Sequence, residues 1–360
     1  MIVSIILLDY LMKLSKWRVR GIPPLPPALE DVKDLEIVVI VPFRDESDHL
    51  PHLLQDLSLQ TESCHVIFVD DHSLDRGAEI IANQLPFQPN WRLLRADGEG
   101  KKAAIRTALD SSMSTYVITL DADVRLKEAW FEELSAFLFR VRPVMAILPV
   151  RLSNEHSVLG RLQDAEWKMI SAITAGSALA GEPILCNGAH LAFHRDVIAE
   201  IMPNEHSVSS GDDMFLLEKA KQMGPVYFYA TESVSVLTKS ASTWASFFAQ
   251  RVRWAGKTHR FRDRDIIGFG LRTTLVQLIQ LFLPLFIWKN PDMIWFAIAW
   301  IYVKWSAELG YTYNYCRIVN IRWSFISSWV VVILYPLYSI LVAAIALVYR
   351  PKWKGRKIKQ

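Results

Sequence analysis

Four polar clusters follow one another along the 360-residue chain: Asp70-Asp71, Asp121-Ala122-Asp123, Gly211-Asp212-Asp213 and Gln250-Arg251-Val252-Arg253-Trp254. Carboxylates one residue apart, as at Asp121 and Asp123, offer hard oxygen ligands of the kind that Mg2+ or Mn2+ takes when it bridges phosphate oxygens. An isolated Asp-x-Asp is commonly a solvated turn. Here it follows the apolar run 116–120, which puts it at the end of a strand. Asp71 also ends a β-branched run and can accept from a nucleobase N–H, while Ser73 or Asp75 caps the helix that follows. Lys101 and Lys102 open a helix, where the dipole disfavours them but a bound diphosphate would use them; a solvated lysine pair accounts for them equally well. Asp212 and Asp213 begin another helix and serve at least as an acidic first turn. As a general base, Asp213 must reach an acceptor hydroxyl. Gln250, Arg253 and Trp254 fall at i, i+3 and i+4 on one helix face. Arginine suits phosphate and tryptophan suits stacking on a sugar, although both are also ordinary residues of a membrane-interface helix.

The elements that must position these residues are legible from periodicity. Short β-branched runs at 37–41, 65–69, 91–95 and 116–120 alternate with helical stripes at 50–57, 78–85 and 101–109. Continuous apolar strands separated by helices predict a doubly wound, mainly parallel α/β sheet. Ligands in such sheets bind beyond the carboxyl ends of the strands. Those ends carry Arg44-Asp45, Asp70-Asp71 and Asp121-Ala122-Asp123. No GxGxxG follows the first strand, and Gly98-Glu99-Gly100-Lys101 lacks the spacing of a P-loop, so dinucleotide oxidoreductases and P-loop NTPases lose ground. Residues 158–170 and 214–222 have helical periodicity within a less regular second subregion.

Length allows one sizeable α/β domain with an appendage. The chain is 51% hydrophobic with 13 Trp, above the usual range of about 45–50% apolar. The excess lies beyond Arg264, where 266–288, 293–309 and 323–348 each approach the length that a bilayer core demands. This predicts three spans, or two spans and an interfacial helix. A net charge of +3 is too small to suggest nucleic-acid binding. Basic clusters at 257–264 and 352–359 flank the apolar region, where they suit anionic headgroups. The apolar stretch at 2–14 is short for a span and reads as an uncleaved interfacial helix or short anchor rather than a signal peptide. The proline-rich segment 21–27 then reads as a stiff linker. Cys64, Cys186 and Cys316 have neither pairing nor metal-ligand spacing. Expected boundaries are an anchor and linker at 1–35, a nucleotide-binding half at 36–150, an acceptor-binding half at 151–262 and a membrane region at 263–360.

Together these residues resemble the membrane-associated family 2 glycosyltransferases, the inverting GT-A group that includes cellulose, chitin and hyaluronan synthases and ceramide glucosyltransferase. Ile40-Val41-Pro42-Phe43-Arg44-Asp45-Glu46 is similar to the group's first strand and Arg-Asn-Glu turn, with Asp45 in place of Asn. Val69-Asp70-Asp71-His72-Ser73 resembles its base-recognition strand, and Gly100-Lys101-Lys102-Ala103-Ala104-Ile105 its Gly-Lys-x-x-Ala-Leu segment. The final cluster matches QxxRW. The resemblance implies that Arg44, Asp71, Lys101, Asp121, Gln250 and Arg253 bind a nucleotide-sugar donor, usually a UDP-sugar. It implies a Mg2+ or Mn2+ site at Asp121 and Asp123 and a catalytic base at Asp213. Asn187, Gly188, Asp212 and Trp254 fall on the acceptor side. The expected enzyme is an integral protein of the inner or plasma membrane, its catalytic domain facing the cytoplasm, that transfers a sugar to a hydroxyl of a lipid or lipid-linked glycan. The gating Phe-x-Val-Thr-x-Lys of cellulose synthase does not follow QxxRW, which weighs against the first rival, a processive polysaccharide synthase. The second rival is a noncatalytic membrane scaffold.

Overall fold

The computed structural model describes residues 2–26, 35–60, 64–153, 157–199, 212–256, 261–349, 352–353 and 356–357. In chain order the elements begin with α1 (Ile2–Lys16), β1 (Ile37–Phe43), α2 (Leu50–Ser58), β2 (His65–Asp70), α3 (Gly77–Ala82), β3 (Trp91–Arg95), α4 (Lys101–Asp110) and β4 (Tyr116–Leu120). There follow α5 (Trp130–Val141), β5 (Met145–Ile147), β6 (Val150–Leu152), α6 (Val158–Leu179), β7 (His190–His194), α7 (Arg195–Ala199), α8 (Asp212–Met223), β8 (Val226–Phe228) and β9 (Val236–Thr238). Four further helices follow: α9 (Trp244–Ala255), α10 (Arg264–Lys289), α11 (Ile294–Ile318) and α12 (Phe325–Val348), and then the short antiparallel strands β10 (Lys352–Trp353) and β11 (Arg356–Lys357). The chain divides into two compact units built from interleaved stretches. One comprises Ile22–Ser153, Cys186–Lys239 and Lys352–Gln360, the other Met1–Gly21, Asn154–Leu185 and Ser240–Pro351.

The first unit holds a seven-stranded sheet in the order β3-β2-β1-β4-β7-β5-β8. β1 runs parallel to both β2 and β4, and β2 to β3. The strands are apolar because both faces are covered: every residue of β1 and β4 is buried. α4 lies across β1, β2 and β3, with Ala104, Ile105, Ala108 and Leu109 buried. Strand order reverses at β1 and β4, which makes the edge beyond their carboxyl ends a switch-point crevice. β7 is antiparallel to β4 and β5. A run of five residues containing two histidines has no clear strand period, so sequence alone does not reveal this return strand. Its effect is direct: β7 begins at the edge where β4 ends, with His190 opposite Leu120. A separate parallel pair, β6 and β9, sets Leu152 beside Thr238.

The second unit is helical. α12 packs on α6, α9 and α10, while α1 packs on α10 and α11. α1 turns Leu7, Tyr10 and Leu14 inward and exposes Ile2, Ile5, Leu8 and Met12. The chain after it is held by backbone capture: Asn314 Nδ2 donates to the Val19 carbonyl at 2.5 Å, and Tyr311 Oη lies 3.0 Å from that of Trp17. Glu182 accepts from Lys13 at 2.6 Å and from the Trp17 indole at 2.8 Å. α10 and α12 are long and apolar enough to cross a membrane, with 22% of each apolar window buried. α11 is also long, but it carries Lys304 and Glu308, both buried and paired at 2.8 Å. Tyr10 Oη donates to the other Glu308 oxygen at 3.0 Å.

Gly176 on α6 permits this docking, because a Cβ there would overlap both the Trp17 carbonyl and the Tyr311 hydroxyl. Replacing Gly176 with Ala is expected to cost about 1–3 kcal/mol through overpacking, read as a lowered unfolding temperature of the detergent-solubilised protein by tryptophan fluorescence. An unchanged midpoint would show that this contact does not hold the segment.

Candidate active site

Beyond β1 and β2 the chain makes two cross-linked turns. Asp45 has φ 50° and His72 φ 56°, left-handed values to which short polar residues are better suited than most. Asp45 Oδ1 accepts from the Leu74 amide at 2.7 Å, and its own amide donates to Ser73 Oγ at 3.1 Å. The carboxylate thus does what an asparagine carbonyl would do at this position. Arg44 is buried, with Nη1 donating to the Asp71 carbonyl at 3.2 Å. Asp71 is 2% exposed. Burial raises its carboxyl above the ordinary range, opposed by the Gly100 amide, Arg44 and His72. Gly100 donates to Asp71 Oδ1 at 2.9 Å from a φ of 93° that favours glycine.

Lys101, the next residue, opens α4 and reaches across the edge. Its Nζ donates to Asp121 Oδ1 and, at 2.9 Å, to the Gly188 carbonyl. Gly188 in turn donates its amide to Asp213 Oδ2 at 3.1 Å. The other Asp213 oxygen accepts from the Met214 amide at 3.0 Å. A Cβ on Gly188 would stand a tight 3.2 Å from Asp213 Cβ. The antiparallel register brings this loop in: the Asp121 amide donates to the Ala189 carbonyl at 3.1 Å, and Asn187 Oδ1 accepts from the Ala189 amide at 3.0 Å. An unbroken series of hydrogen bonds and chain neighbours therefore runs from Arg44 and Asp71 through Gly100-Lys101 to Asp121, Gly188 and Asp213. Asp212 opens α8, but its side chain, like Gly211, lies outside the described residues.

Asp123 is half-buried. Burial raises its carboxyl above the ordinary range, as do the neighbouring charges of Asp121 and Glu46; Thr238 and His49 oppose the rise. Thr238 Oγ1 donates to Asp123 Oδ2 at 3.0 Å. Among the described residues no three His, Cys, Asp or Glu side chains converge as a ready metal cage. The Asp121–Asp123 pair nevertheless fits a divalent cation: both are hard oxygen donors, and Asp123 sits in surplus negative charge that a cation would relieve. Thr238 has no flag in the sequence, because it arrives from a strand more than a hundred residues away.

In the helical unit, Gln250, Arg253 and Trp254 lie on α9, whose start is fixed by a Thr243–Ser246 capping box. Arg251, inside the same motif, is buried and forks onto Glu166 of α6, Nη2 to Oε2 at 2.6 Å and Nε to Oε2 at 3.0 Å. Its guanidinium lies 4.4 Å from the centre of the Trp254 ring, and its Nη1 donates to Gln250 Oε1 at 2.8 Å. Arg253 is half-buried.

A family described as Glycosyl transferase family 2 matches residues 38–202. Over those residues the chain is similar to a family 2 glycosyltransferase domain. The match takes in β1 to β7, and so the strand ends, Lys101 and the Gly188 loop. A relative in Edwardsiella ictaluri, named undecaprenyl-phosphate 4-deoxy-4-formamido-L-arabinose transferase, is 33% identical over 104 residues, 27% of this chain and 32% of its own. Its namesake in Pectobacterium carotovorum is 22% identical over 180 residues, 48% of this chain and 53% of its own. The chain thus spans about a third to a half of the length of these curated relatives. A mannosyltransferase from Pyrobaculum calidifontis, solved with GDP-Man and Mn2+, covers 96% of both chains with a TM-score of 0.61 and 16% identity. That likeness supports the fold, and the mixed, mainly parallel sheet is that of the GT-A glycosyltransferases.

One buried group of this domain gives a direct pH test. Trp130 Nε1, a donor only, approaches His190 Nε2 at 3.1 Å. The ring proton therefore sits on Nδ1, 3.3 Å from the Pro149 carbonyl. Burial pushes the imidazole down to about 3, partly offset by that carbonyl. The unfolded chain takes up the proton near pH 6.5, the folded one only near 3, so this group's stabilisation is complete above about pH 6.5 and declines as pH falls through that window. In His190→Gln, the acid-side fall of unfolding temperature between those values is expected to be shallower. An identical slope in both proteins would refute the neutral buried ring.

Proposed function

We propose that the protein is an inverting, metal-dependent glycosyltransferase that moves a sugar from a nucleotide-diphosphate donor to a lipid or lipid-linked acceptor at a membrane. The observation that carries this reading is the hydrogen-bonded series from Asp71 through Lys101 and Asp121 to Gly188 and Asp213. Asp71, with Arg44 behind it, would receive the nucleobase, and Lys101 would face the diphosphate. Asp121 and Asp123 would hold Mg2+ or Mn2+, which when bound offsets charge growing on the leaving diphosphate. Asp213, beside Asn187-Gly188, would take the proton of an acceptor hydroxyl as that oxygen attacks the anomeric carbon. On the resemblance, Gln250 and Arg253 serve the diphosphate, and Trp254 and Asp212 the acceptor.

Two features support the membrane setting. The relatives' names specify undecaprenyl phosphate, a lipid carrier. The helical unit also turns many apolar side chains outward while burying a few polar ones: Leu271, Leu275, Phe282 and Phe286 of α10 and Ile326, Leu334 and Leu341 of α12 are exposed, whereas Lys304, Glu308 and Gln277 are buried. That distribution suits lipid as the surrounding solvent. The basic cluster ahead of α10 favours a catalytic domain on the cytoplasmic face of an inner or plasma membrane.

The relatives' names also favour a second reading of the acceptor, in which a lipid phosphate supplies the attacking oxygen. A phosphate monoester is largely ionised at neutral pH, its second pKa being about 6, so it needs little help from a base. Asp213→Asn separates the two. A hydroxyl acceptor predicts a loss of turnover of about 10²- to 10⁴-fold with donor affinity retained, measured with labelled nucleotide sugars and a membrane lipid extract. Turnover equal to wild type would remove Asp213 as the base. One added sugar per acceptor is the expected product, and a ladder would favour a processive polysaccharide synthase. No transfer or hydrolysis from UDP-, GDP- or CDP-sugars with Mg2+ or Mn2+ would favour the scaffold.

A further inference from the structure

Asp56, on α2, is a carboxylate with 7% exposure and no part in the proposed chemistry. Its Oδ1 accepts from Arg125 Nη2 at 2.8 Å. Its Oδ2 accepts from Arg125 Nε at 2.6 Å and from the Leu126 amide at 2.9 Å. Arg125 stands two residues past Asp123, with the buried Val124 between them. The Arg125 backbone is fixed as well. Its amide donates to the Leu237 carbonyl at 2.8 Å, and its carbonyl accepts from the Leu237 amide at 3.1 Å. The residue after Leu237 is Thr238, the one that donates to Asp123. Gln60, just past α2, extends the grip: its Nε2 donates to the Lys127 carbonyl at 3.0 Å, and its Oε1 accepts from the Phe131 amide at 3.0 Å.

We infer that Asp56, acting through Arg125, is a positioning residue for the cation-binding pair Asp121 and Asp123, setting where the Asp123 carboxylate stands against Thr238. This rests on the reading of that pair as the metal site. The physical reason is that a strand-end loop carrying like charges is pushed apart unless its backbone is held. A forked Arg–carboxylate pair that also captures an amide fixes both position and orientation. Such outer partners typically change metal affinity by about 10–100-fold when removed. Asp56→Asn keeps the size of the side chain but loses the charge that holds the fork.

The test is direct Mn2+ binding to the purified full-length protein, followed by the electron paramagnetic resonance signal of free Mn2+, with unfolding temperature measured alongside. Wild type is expected to bind one Mn2+, and Asp123→Asn to lose it. Asp56→Asn should weaken binding about 10–100-fold with an unfolding temperature close to wild type. Arg125→Lys is the second variant, because the Arg125 side chain is 48% exposed and its shortening leaves no cavity. It keeps the charge but not the fork, and should weaken Mn2+ binding several-fold, so it decides the matter if Asp56→Asn does not fold. If wild type binds Mn2+ through Asp123, yet the folded Asp56 or Arg125 variants bind it within about twofold of wild type, the positioning role is wrong. If wild type binds no Mn2+, or Asp123→Asn binds as well as wild type, the metal reading has failed and the inference falls with it.

Discussion

The arrangement of the sheet unit depends on one constraint of direction. β1, β2 and β4 run parallel, and β7 runs back along β4, so three strand ends and one strand beginning share a single edge. Side chains on a parallel sheet covered on both faces must be apolar along the strands. Polar residues can therefore gather only where the strands stop. Arg44, Asp71 and Asp121 sit at those stops, and the Asn187-Gly188-Ala189 lead-in to β7 meets them from the other direction. Without the reversal at β7, the Gly188 carbonyl would not stand beside Lys101.

Charge at this edge is arranged by unequal pairing. Lys101 pairs with Asp121 and a carbonyl, while Asp71 is buried and accepts from the Gly100 amide, with Arg44 and His72 beside it. Among the described residues Asp123 has only a neutral hydroxyl as its direct donor, beside Asp121 and near Glu46. A half-buried carboxylate left in surplus negative charge must protonate, recruit a cation or be desolvated at a cost. That imbalance distinguishes Asp123 from the carboxylates around it, and it arises because Thr238, rather than a basic residue, was brought to it by the β6–β9 pair.

The parts of this design that are legible in the sequence are those with local signatures. β1, β2 and β4 are continuous apolar runs, so their ends, and the carboxylates at those ends, are marked in the sequence itself. The α/β class followed from the same periodicity. What the sequence does not show is non-local. β7 is short and carries histidines, so its antiparallel return has no periodic trace. Asp56 and Arg125 are 69 positions apart, and Asp56 falls on the helical stripe of α2 as an unremarked polar residue. Glu166 and Arg251 are separated by 85. The interleaving of the two units is hidden for the same reason, since composition shifts mark changes along the chain but not returns to an earlier unit.

The Arg251–Glu166 pair shows how such a non-local contact alters the meaning of a local motif. Gln250 is ambiguous in sequence, because its amide can present a carbonyl or an NH2 group. Arg251 is a donor only and directs Nη1 at Gln250 Oε1. One carbonyl lone pair is thereby used, which orients the amide and sets its NH2 donors on the other side. A donor suits an anionic partner such as a diphosphate. The arginine can impose this because Glu166 fixes its fork from α6 and because Phe247 and Trp254 cover its faces at 4.7 and 4.4 Å. An unpaired arginine that deeply buried would be strongly disfavoured. Glu166, which belongs to no recognisable motif, thus sets the hydrogen-bonding character of a residue that does.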